Sequence, residues 1–383
     1  MQGIIDIGSN TMRLSLYGTD TDTIDLLMSK KAMVGLAAEI DDYNNLSPEG
    51  IQKACEALLM FKDFLDNLNN PPVAVIATAS LRNINNTQEA IDVLEKATGF
   101  DVTLLSGTEE AHYDSVAVRH GMKMDKLAPV TDFMVVDIGG GSTELVECRG
   151  EKNIDELSFP VGSLNQFLRN VDYLVPTQIN RKAIKKLVKG HVSNHWGQTV
   201  PAISVIAGVG GSNRAALHYY NQHWKLDASN GVMEVARLKK MIKSFSSEGK
   251  KSVVRLARLA PDRMHTFLPG LIILCTIAVL IEADTVAISD WGVREGYLLH
   301  ILERDLLTVK KQDSAAVKTM HGSSTVPVVS KTRVPVVKPV GTVAKPKDAV
   351  VKPANAEVES IDTVVKQAEQ KEAARDTEEV QDA

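Results

Sequence analysis

Apolar and polar positions along the chain fall into an order that occurs twice. Gly3-Ile4-Ile5 opens as a short buried strand. Met12-Arg13-Leu14-Ser15-Leu16-Tyr17 alternates as a half-buried strand, and residues 24–28 form a third. A helix is predicted from Ser47, a good N-cap with Pro48 in its first turn. Ile51, Ala54, Leu58, Phe61 and Leu65 keep helical spacing to about Leu68. Residues 73–77 and 102–105 read as strands. A helix capped by Asn86 or Thr87 lies between them, and another opens at Thr108. A second unit begins near Val130, with strands at 133–137, 143–148, 154–159, 203–207 and 285–289 and helices placed late. The pattern predicts an α/β chain with two related domains, residues 1–125 and 126–308, hinged over a cleft.

Two stretches depart from this pattern. The apolar run 267–281 contains Pro269 and Gly270 and is shorter than the roughly 20 residues a bilayer span needs, so it reads as a buried core helix. Residues 309–383 form a tail rich in Val, Lys, Pro, Ala, Thr and Glu, with no aromatic residue after 309. Such a segment buries too little to offset its ordering entropy and is predicted to be disordered. Its first part is basic and its end acidic.

The chemistry is concentrated in the turns. Asp6-Ile7-Gly8-Ser9-Asn10-Thr11 follows the first strand, and Asp137-Ile138-Gly139-Gly140-Gly141-Ser142-Thr143-Glu144 follows the strand at 133–137. Glycine allows close backbone approach and positive φ, and successive N–H groups in such turns bind anions. An Asp at the strand end can hold a cation or position a water. A third glycine turn, Gly208 to Ser212, sits at another strand-to-helix junction. Arg82, after the 73–77 strand, is a candidate phosphate contact. Glu109 and Glu110 stand at a helix start, where one of them can orient and deprotonate a water. No Ser-His-Asp or cysteine nucleophile arrangement is visible, so direct attack by water is the simpler route.

The 383 residues carry a net charge of −5, which argues against a general coat for nucleic acid; a polyanion site must be a local basic cleft. The three cysteines form no CxxC pair and the nine histidines no zinc spacing, which fits a reducing cytoplasm. The chain enters a strand at once, so no signal peptide is expected, and neither membrane nor DNA is an expected partner.

These motifs, with Ser106-Gly107-Thr108-Glu109-Glu110-Ala111, Gly210-Gly211-Ser212 and Arg294-Glu295-Gly296 in the same order, resemble the exopolyphosphatase / guanosine pentaphosphate phosphatase family over residues 2 to about 305. The resemblance implies two ribonuclease-H-like domains of the actin-like ATPase superfamily and magnesium-dependent release of terminal phosphate. The implied substrate is inorganic polyphosphate or guanosine pentaphosphate, the latter linked to the stringent response, and a homodimer is implied as well. Residue by residue it implies Glu110 as catalytic base, with Asp137 and Glu144 near metal and water beside the candidate metal ligand Asp6. It further implies phosphate contacts from Ser9, Asn10, Thr11 and Arg82, from the loop Gly139, Gly140, Gly141, Ser142 and Thr143, and from Gly210, Gly211 and Ser212. Long members continue into a helical domain of the His-Asp phosphohydrolase type, where this chain has its tail. The segment around Asn165 also lacks an Arg that many members carry. A phosphate-binding regulator without turnover, or a sugar kinase of the superfamily, are the rival readings.

Overall fold

The computed structural model describes residues 1–19, 24–124, 131–171 and 173–304. The predicted tail at 309–383 and the 125/126 boundary lie outside the described residues.

The first lobe is β1 (Gln2–Ile7), β2 (Thr11–Thr19) and β3 (Ile24–Met33), then α1 (Pro48–Asp66), β4 (Val73–Ala77), α2 (Ala79–Arg82), α3 (Thr87–Thr98), β5 (Val102–Leu104) and α4 (Gly107–Met124). Its sheet runs β3-β2-β1-β4-β5, with β1–β3 antiparallel neighbours and β4 and β5 parallel to β1. The second lobe is β6 (Asp132–Ile138), β7 (Thr143–Arg149), β8 (Lys152–Phe159), α5 (Ser163–Asn170), α6 (Gln178–Trp196), β9 (Val205–Val209) and α7 (Gly210–Trp224). It continues with β10 (Val232–Glu234), α8 (Val235–Glu248), α9 (Lys250–Leu259), α10 (Phe267–Leu280) and β11 (Thr285–Ile288), and residues 293–304 close as a helix. Its sheet runs β10-β11-β9-β6-β7-β8. Apart from β10, this is the same plan: three antiparallel strands, then two parallel ones.

The predicted elements have clear local causes. Ser47 accepts the Gly50 N–H at 3.1 Å, and the predicted apolar stripe of α1 is buried against the first sheet. The run at 267–281 is α10, buried on nearly every side in the core of the second lobe. Its 14 residues are too few to cross a membrane, and no helix among the described residues is long and apolar enough to do so. The start of α3 differs from expectation. Asn86 occupies the N-cap position, but its amide pairs with the Leu46 backbone at 2.8 and 3.0 Å, stitching a loop instead of capping the helix.

The lobes exchange their last helices. The apolar face of α4 packs through Ala111 and Val118 on β6, β7 and β9, so a helix of the first half covers the second sheet. The closing helix returns through Val293, Leu298 and Ile301 to Ile4, Tyr17 and Ile76 of the first sheet, where Tyr113 of α4 joins it. Glu295, buried there, accepts the Tyr17 hydroxyl at 2.5 Å and the Gly292 N–H at 2.8 Å, while Arg294 donates to Ser15 at 3.1 Å. With these helices shared, the lobes form one compact unit. The crossing is tight enough that a Cβ on Gly296 would overlap the Tyr113 carbonyl.

Gly296→Ala should therefore cost about 1–3 kcal/mol through overpacking. Gly190→Ala, in the middle of α6 with open space around it, should add about 0.5–1 kcal/mol of stability. Urea denaturation of the two variants beside the parent checks both signs.

Candidate active site

Both motif copies fold as hairpin turns of the same geometry. In the first, Gly8 N–H donates to the Thr11 carbonyl at 3.2 Å. In the second, Gly139 N–H donates to the Ser142 carbonyl at 3.0 Å. The registers correspond as well: Asp6 pairs across with Arg13, and Asp137 with Glu144. The turns meet tip to tip. A Cβ on Gly140 would stand 3.1 Å from the Ser9 Cβ, and one on Gly141 2.8 Å from the Ser9 hydroxyl. Close approach is thus what requires glycine here. Positive φ is not, because none of Gly8, Gly139, Gly140 and Gly141 adopts it. The start of α5 holds the second turn from behind. Ser163, Leu164 and Asn165 donate backbone N–H groups to the carbonyls of Gly139 and Gly140 at 2.9–3.0 Å, and the Asn165 side chain donates to Gly141 at 2.7 Å. The third turn supplies the N-terminus of α7, a favourable place for an anion. Gly210 there has φ +83° and lies so close to Asp137 that a Cβ would overlap its Oδ1.

Carboxylates gather beside these turns. Arg82 donates to Glu110 Oε2 at 2.8 Å and to the Leu105 carbonyl at 2.9 Å, and its other nitrogen lies 3.6 Å from Glu144. Ser158 donates to Glu144 Oε1 at 2.9 Å. The second oxygen of Glu144, Oδ1 of Asp137 and both oxygens of Asp114 have no hydrogen-bond partner among the described residues. Burial raises all four acids. It pushes Asp137 up to about 6, helped by Asp6 and opposed by Arg214, and Glu144 up to about 7, helped by Asp137. Burial and Glu144 hold Glu110 well above the usual carboxylate range against the pull of Arg82, and burial does the same for Asp114. Glu109 is set apart: it caps α4, exchanging hydrogen bonds with Ser106 at 2.8 and 3.1 Å.

Four arginines, Arg13, Arg214, Arg263 and Arg294, line the same cleft from both lobes. Burial and the charges of Arg294 and Arg214 push the Arg13 guanidinium down to about 10. Asp262, next to Arg263, pairs with Lys31 of β3 and so ties the second lobe to the first. The arrangement has the parts a phosphoryl-transfer site needs: backbone turns for oxygens, cations for charge, and a carboxylate near a place for water.

A sequence profile of the Ppx/GppA phosphatase family matches residues 16–305. The chain belongs to this family. Its members are phosphatases, and the fold agrees. A crystal structure of the Aquifex aeolicus family member is similar at a TM-score of 0.64 and 23% identity, covering 79% of this chain and 98% of that one. An exopolyphosphatase from Cytophaga hutchinsonii is similar at a TM-score of 0.68 and 19% identity, covering 79% and 97%. These likenesses establish the actin-like two-lobed fold.

Most of the predicted Ppx/GppA site residues come together. Asp6, Ser9, Asn10, Thr11, Glu110, Asp137, Gly139, Gly140, Gly141, Ser142, Gly210 and Gly211 line one cleft. Four do not line it. Arg82, which holds Glu110, and Glu144 stand outside its lining. The Thr143 hydroxyl donates to the Val161 carbonyl at 2.6 Å, and that of Ser212 faces Ser163 at 3.4 Å, both buried. Among the described residues no cluster of three or more His, Cys, Asp or Glu is arranged to cage a metal. Asp6 and Asp137 suit instead a hard cation that takes its remaining ligands from water and phosphate.

Arg13, Arg214, Arg263 and Asp114 escaped the sequence reading. Arg13 had a signal, as the polar member of an alternating strand just after the first turn, and Arg214 stands two residues past the third. Asp114 follows Glu110 by one helical turn, on the buried face of α4. Its unfolded form loses a proton near pH 4, whereas the folded form holds it to higher pH. Across that window the native state binds more protons, so stability falls as pH rises. Asp114→Asn should remove this loss: more stable than the parent at pH 7, with the gap closing below about pH 4. Urea midpoints across pH check it.

Proposed function

We propose that the protein is an exopolyphosphatase, releasing terminal orthophosphate from inorganic polyphosphate by attack of water with Glu110 as base. What carries this reading is one juxtaposition: Glu110 opens onto a cleft walled by three glycine turns and four arginines. The terminal phosphate rests against the backbone of the turns, and Arg13, Arg214, Arg263 and Arg294 take up its charge and that of the leaving chain. Arg82 fixes the Glu110 carboxylate, which accepts the proton of the attacking water. As the new P–O bond forms, the anhydride bond breaks and the shortened chain departs. A magnesium ion held by Asp6 and Asp137, with Glu144 behind, would supply neutralisation of charge on the phosphate oxygens.

A second reading is hydrolysis of guanosine pentaphosphate. Beyond the contact of Ser9 with Gly141 lies a cavity lined by Asp41, Asp42, Asn83 and Asn165. The carboxylates of Asp41 and Asp42 there are acceptors that suit the donor edge of guanine.

Orthophosphate release measured in parallel on polyphosphate and guanosine pentaphosphate decides between the two. Faster release from polyphosphate supports the proposal, and preference for the nucleotide overturns it. Glu110→Gln should lower kcat by about 10²–10⁴ while substrate still binds. Because a base must be ionised, kcat/KM should rise with pH along a limb above the ordinary carboxylate range, set by the carboxylate cluster as a whole. A limb at the ordinary glutamate value would contradict the assignment.

A further inference from the structure

Outside the cleft one surface is strongly basic. Residues 235–259, spanning α8 and α9, hold eight lysines and arginines and one acid, Glu248, in a chain whose net charge is −5. Part of this charge faces a groove between α9 and the end of α7, lined by Lys250, Lys251, Arg255 and Arg258. On α9, Lys251, Arg255 and Arg258 follow at helical spacing and so share one face. Arg255 is fixed as a wall, with Glu248 at 3.5 Å, the Tyr219 hydroxyl at 3.3 Å and His223 Nδ1 at 2.7 Å. Lys251 and Arg258 are exposed to solvent.

The groove and the cleft are joined by a short stretch of chain. Leu259 lines the groove, a short 3-10 turn (Pro261–Arg263) follows directly, and Arg263 lines the cleft. The cavity past Ser9 and Gly141 carries two acids, Asp41 and Asp42, against one cation, Arg169, and so offers a polyanion less than the basic groove does. No aromatic residue lines the groove, so it offers no platform for stacked bases and selects by charge density alone.

We propose that the α9 groove docks the distal part of an inorganic polyphosphate chain whose end lies in the cleft. This rests on the exopolyphosphatase reading and adds a site that only long substrates reach.

The test compares steady-state kinetics of the parent and of Lys251→Glu/Arg258→Glu, full length, on tripolyphosphate and on long-chain polyphosphate. The reversal should raise KM for the long chain roughly tenfold, leave its kcat alone, and reduce the salt dependence of that KM. Kinetics on tripolyphosphate should not change. An unchanged long-chain KM, or an equal loss on tripolyphosphate, overturns the docking site. Titration of long-chain polyphosphate into Glu110→Gln, with and without the two reversals, reads the groove independently of turnover; weaker binding with them supports it and equal binding overturns it. Absence of phosphate release from either substrate would strike the exopolyphosphatase reading alone, leaving the titration to decide the groove. Single-stranded RNA that displaces the polyphosphate at equal phosphate concentration, with no effect of the reversals on long-chain KM, would make the surface a nucleic-acid site and also overturn the proposal.

Discussion

Ser9 packed against the backbone of Gly140 and Gly141 is the contact on which the site depends. Each turn alone is an ordinary hairpin end. Brought tip to tip they place two strand-end carboxylates, Asp6 and Asp137, in one cleft, with the Arg13 of one hairpin and the Glu144 of the other at corresponding registers. The repeated hairpin therefore yields opposite charges at matching positions. The exchange of α4 and the closing helix holds the lobes in this relation, since each helix is buried against the partner sheet.

Charge balance is the second constraint. Glu110, Asp114, Asp137 and Glu144 are all buried, and several of their oxygens lack a partner among the described residues. Buried charge without a partner is costly, and the protein meets that cost partly by raising these carboxyls and partly through the arginines. A cleft that sets guanidinium groups among such carboxyls suits a ligand that brings its own negative charge.

Much of this was legible along the chain, because its causes are local. The N-cap at Ser47, the buried run that became α10, and the strands around the glycine turns follow from neighbouring residues. The glycines themselves announced a site: at Gly140 and Gly141 the reason is the approach of Ser9, and at Gly210 it is positive φ beside Asp137. What stayed hidden is long-range. Arg13 and Arg263 are 250 positions apart and meet only once the lobes close. The pairing of Arg82 with Glu110, 28 positions on, also forms only in the fold. The position of α4 against the second sheet follows from tertiary packing that a boundary drawn along the chain does not contain.

In the proposed reaction, phosphate is held and released where the two turns touch. Gly141→Val puts branched carbon where Ser9 now packs, separating the turns without touching Glu110 or an arginine. Orthophosphate release from polyphosphate by this variant, taken beside its thermal midpoint, is the most direct measurement. The expected result is a folded protein whose kcat/KM falls by about 10² or more, as for misplacement of a positioned group. Release at the parent rate from a protein with valine at this contact would contradict it.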